Sequence, residues 1–161
     1  MRRLFTLATG VALVASIVVV AQVSATPAVG LTSKTLATGT LPPVNLHVKN
    51  GGWQVKLQTK EDSTVTVVEN DVDPGGSFGW HSHPGPSLIV VKSGTLTFYD
   101  SDDPTCSPVV HTAGDAFIDA GTDTHIGFNK GSTEAVVIVT RIIPEGANPR
   151  IDEPEPANCH I

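Results

Sequence analysis

Gly75-Gly76-Ser77-Phe78-Gly79-Trp80-His81-Ser82-His83 is the stretch from which the chain is best read. Residues i and i+2 of an extended strand point to the same face, so His81 and His83 aim two imidazoles into one space. Downstream, Gly114 and then His125 repeat the glycine-to-histidine pattern, and Asn129 follows. Three neutral imidazoles meeting at one point would form an open-sided site for a divalent transition metal.

Outward from this stretch the chain alternates apolar and polar residues in short runs. Trp53, Val55 and Leu57 alternate with Gln54, Lys56 and Gln58, and Val65 and Val67 with Thr64 and Thr66. Leu96 and Phe98 do the same among Thr95, Thr97 and Tyr99. Such runs read as strands with one face inward. Leu88 to Val91 is nearly all apolar, as a strand covered on both faces would be. Ala135 to Ile143 is the longest run, rich in the β-branched residues that suit a pleated surface. Asn50-Gly51-Gly52, Asp73-Pro74-Gly75-Gly76, Lys92-Ser93-Gly94 and Ala120-Gly121-Thr122 are turn signals between them. No segment after the N-terminal run carries a helical stripe. The expected fold class is therefore all-β, a sandwich or barrel in a single domain.

The spacing of these residues resembles the cupin family. Its first motif, G-x5-H-x-H-x3,4-E-x6-G, is met by Gly75, His81, His83 and Gly94; its second, G-x5-P-x-G-x2-H-x3-N, by Gly114, His125 and Asn129. The resemblance covers about residues 70–130. It implies a cupin-type β-barrel or jelly roll (a double-stranded β-helix) over residues 46–143, with ligands on inward strand positions. It also implies metal binding by His81, His83 and His125. Ser87 and Asn129 are then expected to orient the rings from behind.

Two departures from the motif bear on chemistry. The family's metal-binding glutamate is replaced by Ser87, or by Leu88 at the longer spacing, and a hydroxyl is a poor ligand at neutral pH. The remaining donors are all imidazoles, which favour zinc, iron, copper or nickel over hard manganese and argue against oxalate-type chemistry. The second motif has Ala120 and Thr122 for Pro and Gly, with Gly121 displaced by one and able to supply the same backbone freedom. Asp115 and Asp119 are carboxylates that could serve as a substitute ligand, although nothing in their spacing demands it. Trp80 and Phe128, beside the histidine segments, are expected at the mouth of a small apolar cavity. His47, His111 and His160 are isolated, and Asp100, Asp102 and Asp103 read as a solvated turn.

The N-terminus reads as an export signal over residues 1–25. Arg2 and Arg3 precede an apolar run from Leu4 to Val23, and Val23-Ser24-Ala25 offers small residues for cleavage after Ala25. An uncleaved anchor helix is the alternative. Removing 25 of the 161 residues leaves 136, enough for one domain with a real core. Arg2 and Arg3 leave with the signal, so eight basic side chains face 16 acidic ones. No basic patch neutralises phosphates, which excludes nucleic acid as an expected partner. Residues 26–45 read as a loose leader with one edge strand, and residues 144–161 as a Pro-rich tail. Cys106 and Cys159 form an even pair in an exported chain, where a disulfide persists and would tie down that tail; free thiols or a metal-thiolate pair are the alternatives.

These residues are expected to make a secreted metal-binding protein that takes a small molecule into its barrel. The second expectation is a metal-dependent enzyme, an oxygenase or isomerase on a small organic substrate. No stable membrane insertion is expected after cleavage, and monomer and homodimer both stay open.

Overall fold

The computed structural model describes residues 24–161, so the export-signal reading of residues 1–25 lies outside the described residues except for Ser24 and Ala25. Among the described residues every regular element is a strand. In chain order these are β1 (Val29–Leu41), β2 (Asn45–Asn50), β3 (Trp53–Gln58), β4 (Ser63–Ser77), β5 (His81–Ser82) and β6 (Ser87–Ser93). Then follow β7 (Thr95–Asp100), β8 (Val109–Thr112), β9 (Ala116–Asp119), β10 (His125–Phe128), β11 (Ala135–Pro144) and β12 (Ile151–Asp152). No helix among the described residues is long and apolar enough to cross a membrane.

The strands form a jelly-roll barrel with two walls. One wall runs β1-β4-β11-β6-β9 and the other β12-β5-β10-β7-β8, all antiparallel. They join where Phe128 of β10 pairs with Ser77 at the end of β4. The interior is filled by Ile89, Val91, Leu96, Val137 and Val139, with Phe78 and Phe117 packed against them. Full burial of one such side chain stabilises the fold by about 1.5–3 kcal/mol.

A second, smaller core lies on the outer side of the β5-β10-β7 wall. Trp80, Tyr99, Ile126, Cys106 and Cys159 pack together there. Strand parity explains it: each neighbour of an inward residue points outward. His81, Phe98 and His125 line the interior, so Trp80, Tyr99 and Ile126 face the other way. The C-terminal tail covers them, held by a Cys106–Cys159 disulfide with Cα atoms 5.2 Å apart and a sequence separation of 53. In the chain-entropy model a loop of that length is worth about 4 kcal/mol. Tail and barrel also join through β12, where Asp152 pairs with His81 and Ile151 with Ser82.

Two expectations about strands are corrected, one for Leu88 to Val91 and one for Trp53 to Leu57. Leu88 to Val91 is covered on one face only: Ile89 and Val91 are buried, while Leu88 and Val90 are 49% and 40% exposed. A continuous apolar run cannot report which face is covered. Residues 26–45 hold a 13-residue strand, β1, paired along β4 with two register shifts. Nearly every residue of β1 is exposed, so no apolar alternation marks it. Trp53, Val55 and Leu57 do form a strand, but it belongs to a separate two-stranded β2-β3 hairpin exposed on both faces, with Gly51 at φ 58° in its two-residue turn.

Candidate metal centre

The two histidine motifs meet because β5 and β10 are neighbours: His125 is the direct cross-strand partner of His81. His83 follows one pleat later, and its backbone N–H donates to the carbonyl of Gly121. That contact requires Gly121 to be glycine. Its φ is 93°, and a Cβ there would lie 2.1 Å from the Gly85 carbonyl oxygen. All three histidines are buried, at 5%, 4% and 2% exposure for His81, His83 and His125. Their metal-binding atoms lie within 4.8 Å of one another.

The three rings are oriented in one way. His81 Nδ1 donates to Gly79 O at 2.8 Å, His83 Nδ1 to Pro149 O at 3.0 Å and His125 Nδ1 to Asp123 O at 2.8 Å. A carbonyl can only accept, so each ring carries its proton on Nδ1 and presents a lone pair on Nε2. This is the arrangement in which an imidazole ligates a metal through Nε2. Burial, with help from the charges of His125 and Arg150, pushes the His81 pKa down to about 2. Burial also lowers His125, against the opposing pull of Asp119.

Asp119 on β9 completes the cluster. Its Oδ2 lies 3.3 Å from His83 Nε2 and 3.2 Å from His125 Nε2, and those two nitrogens are 3.3 Å apart. Burial works to raise the Asp119 pKa, and the Gly121 N–H bonded to Oδ1 works to lower it. Oδ1 accepts the Gly121 N–H at 2.8 Å. Oδ2 is buried and has no hydrogen-bond partner among the described residues. Three lone-pair atoms therefore face one another across about 3 Å with no proton between them. An orphaned buried acceptor costs about 1–3 kcal/mol, and more when charged. A cation at the centre removes that cost. Two ligands each about 2.1 Å from one ion, at tetrahedral or octahedral angles, stand roughly 3.0–3.4 Å apart, and the spacing among His83, His125 and Asp119 fits. The residues present suit a divalent transition metal; its identity is not fixed by them.

The cluster opens into a chamber of about 320 Å³. Phe78, Phe98, Phe117, Leu96 and Val139 wall it, with Arg141 and Arg150 as the cations. Phe98 lies against His125 with ring centroids 5.3 Å apart.

Ser87, expected to orient a histidine, instead accepts a hydrogen bond from Arg141 Nε at 3.3 Å and lines the chamber. Asn129 does not reach the rings. β10 ends at Phe128, and Asn129 turns away: its Nδ2 donates to the carbonyls of Val72 and Thr133 at 2.9 and 2.8 Å, and its Oδ1 accepts the Gly131 N–H. Trp80 belongs to the outer core, and Phe128 lies under Lys130, so neither lines the cavity mouth. Phe78, Phe98 and Phe117 do that work. His47 is exposed beside Gln54, His111 stacks on Phe117 and His160 pairs with Glu155. Asp103 spends its carboxylate on Thr105 and Ser107 in a closed turn.

The family model of the cupin domain matches residues 68–141, from β4 through both histidine motifs to β11. Residues 68–141 are therefore a cupin domain. Among solved structures, this cupin is similar to an RmlC-like cupin from Shewanella frigidimarina (16% identity over 73% of this chain and 79% of that one, TM-score 0.46). It is similar to the polyketide cyclase RemF from Streptomyces resistomycificus (17% identity, 58% and 65%, TM-score 0.47). It is also similar to an oxalate oxidase (28% identity, 54% and 51%, TM-score 0.43), about half of whose length it spans. No curated protein matches the chain in sequence.

Proposed function

We propose that this cupin is an exported binding protein that holds a divalent transition metal on His81, His83 and His125 and takes a small organic anion into the chamber beside it. One observation carries the metal reading: all three Nδ1 protons are committed to backbone carbonyls, leaving three Nε2 lone pairs converging in a buried space. Zinc, iron, copper and nickel all suit imidazole donors.

The ligand class follows from Arg141. Its guanidinium lines an apolar chamber, and among the described residues no carboxylate lies within ion-pair distance of it. Its one hydrogen bond goes to Ser87. The remaining N–H groups are a fork suited to a carboxylate. A molecule with an apolar body and one acidic end fits such walls. Export is supported by the apolar N-terminal run and by the disulfide, which persists in oxidising compartments.

A second reading, an oxygenase or isomerase, draws on the chamber opening directly onto the histidines, where a bound molecule meets the ion. A bound metal would supply Lewis acidity or redox chemistry. The chain's own part would be to seat the acid on Arg141 and exclude water with Phe78, Phe98 and Phe117.

The metal reading is tested by loading purified protein with zinc, iron, copper or nickel and dialysing at neutral pH. About one ion per chain is expected to remain, and none with His125→Ala. Protein that retains no metal contradicts it. Oxygen uptake by the iron-loaded protein with thiols and small phenols separates enzyme from binding protein.

A further inference from the structure

We propose that Asp119 is a fourth protein ligand of the metal, a carboxylate delivered from β9 at the place where the sequence motif leaves Ser87 on β6. The inference rests on the three-histidine reading and adds a residue to it.

Strand register carries the first part. Ser87 and Asp119 are direct cross-strand partners in the β6-β9 ladder, and both line the chamber. Directly opposed residues in an antiparallel pair have Cα atoms about 4.5–5.5 Å apart and side chains on the same face. A carboxylate lost from one strand is thus replaced from its neighbour. Ser87 is short and buried at 1% exposure, so it leaves the space open.

The carboxylate's own environment carries the second part. Oδ2 lies 3.2–3.3 Å from two histidine Nε2 atoms, yet it is buried without a hydrogen-bond donor. The ring protons that could have served it are spent on Pro149 O and Asp123 O. Oδ1 is clamped by the Gly121 N–H, and the Gly121 carbonyl holds the His83 backbone. The free oxygen is therefore aimed by the same turn that places a ligand histidine. A buried carboxylate oxygen aimed in this way and left without a donor is the place a cation would occupy.

The donor set becomes three imidazoles and one carboxylate. Divalent metal plus one carboxylate leaves a net charge of +1 at the centre, and the added hard oxygen admits manganese(II) and iron(II) beside the borderline metals. The preference against manganese drawn from an all-imidazole donor set is thereby relaxed.

The test compares wild type, Asp119→Asn, Asp119→Ala and His125→Ala in full-length mature protein. Affinities for Mn(II), Co(II) and Zn(II) are measured by competition with a chromophoric chelator, and the visible absorption of the Co(II) form is recorded. Thermal melting is followed with and without metal. Asp119→Asn is expected to weaken Mn(II) at least about 100-fold, to weaken Zn(II) less and to change the Co(II) spectrum. Without metal it is expected to melt no lower than wild type, because it removes an unpaired buried charge; with metal the order reverses. A merely structural carboxylate would give a lower melting point without metal. The proposal is overturned if both Asp119 variants keep Mn(II) affinity within about twofold and leave the Co(II) spectrum unchanged while His125→Ala loses metal, and the three-histidine reading then stands alone. Wild type that binds none of the three metals overturns both.

Discussion

His125 faces His81 directly across the β5-β10 ladder, with ring centroids 4.4 Å apart, although β6 to β9 lie between them in the chain. The pairing makes the metal centre a property of strand register. A one-residue slip would turn His125 outward and Ile126 inward. His81→Ala and His125→Ala should therefore each lower zinc affinity by at least about 100-fold while leaving the far-ultraviolet circular dichroism unchanged. Chelator competition provides the check; a variant that binds as wild type does would remove its histidine from the ligand set.

Arg141 should govern what enters the chamber and leave the metal alone. Methionine keeps much of its length and loses the charge. Calorimetric titration with benzoate and with benzamide should show wild type preferring the acid, and Arg141→Met should abolish the preference while zinc affinity holds. Equal binding of acid and amide by wild type would contradict the anion reading.

The disulfide should matter through the core it covers. Cys159 and Cys106 pack on Trp80, which is 2% exposed, whereas Trp53 is 60% exposed. In a Trp53→Phe background, replacing both cysteines by serine should lower stability by about 2–4 kcal/mol in denaturant titration. Trp80 emission should move to longer wavelength as the tail loosens. Unchanged emission would mean that β12 alone holds the tail.

Acid should weaken the turn that carries Cys106. The Thr105 hydroxyl, the Thr105 N–H and the Ser107 N–H hold the Asp103 carboxyl down to about 2. Its ordinary value is 3.8, so the folded state binds this proton less readily than the unfolded chain. The contribution is present in full above pH 3.8 and is lost as pH falls toward 2. Thr105→Val removes the largest contact, so the melting-temperature difference between wild type and this variant should shrink between pH 4 and pH 2. A difference that stays constant across that range would refute the assignment.

Much of the fold was legible because inward positions repeat with period two. The H-x-H spacing and the Leu96–Phe98 alternation carry that signal, and all four side chains line the barrel; Val65 and Val67 alternate too, but the inward face of β4 is the other one, with Val68 and Asn70. Elements with no buried face left none: β1 is exposed along its length and reads as a leader. Trp80 and Phe128 stand beside the inward residues His81 and Gly127, and strand parity sends both outward. Asn129 matched the motif yet serves a turn, since motif position does not specify which way a side chain leaves a strand end. The role given to Asp119 depends on which strand lies beside β6, and residue spacing along one strand holds no such information. Spacing left Asp115 and Asp119 equally eligible as a substitute ligand, and the partnership of Ser87 with Asp119 favours the second.

The central claim is that three Nε2 lone pairs are prepared for one ion. Long-range proton–nitrogen correlation spectra of the ¹⁵N-histidine-labelled, metal-free protein measure this directly. His81, His83 and His125 should all appear with the proton on Nδ1, and one equivalent of zinc should shift the three Nε2 resonances together while the Nδ1 protons persist. Rings protonated on Nε2, or Nε2 signals unmoved by zinc, would contradict the account.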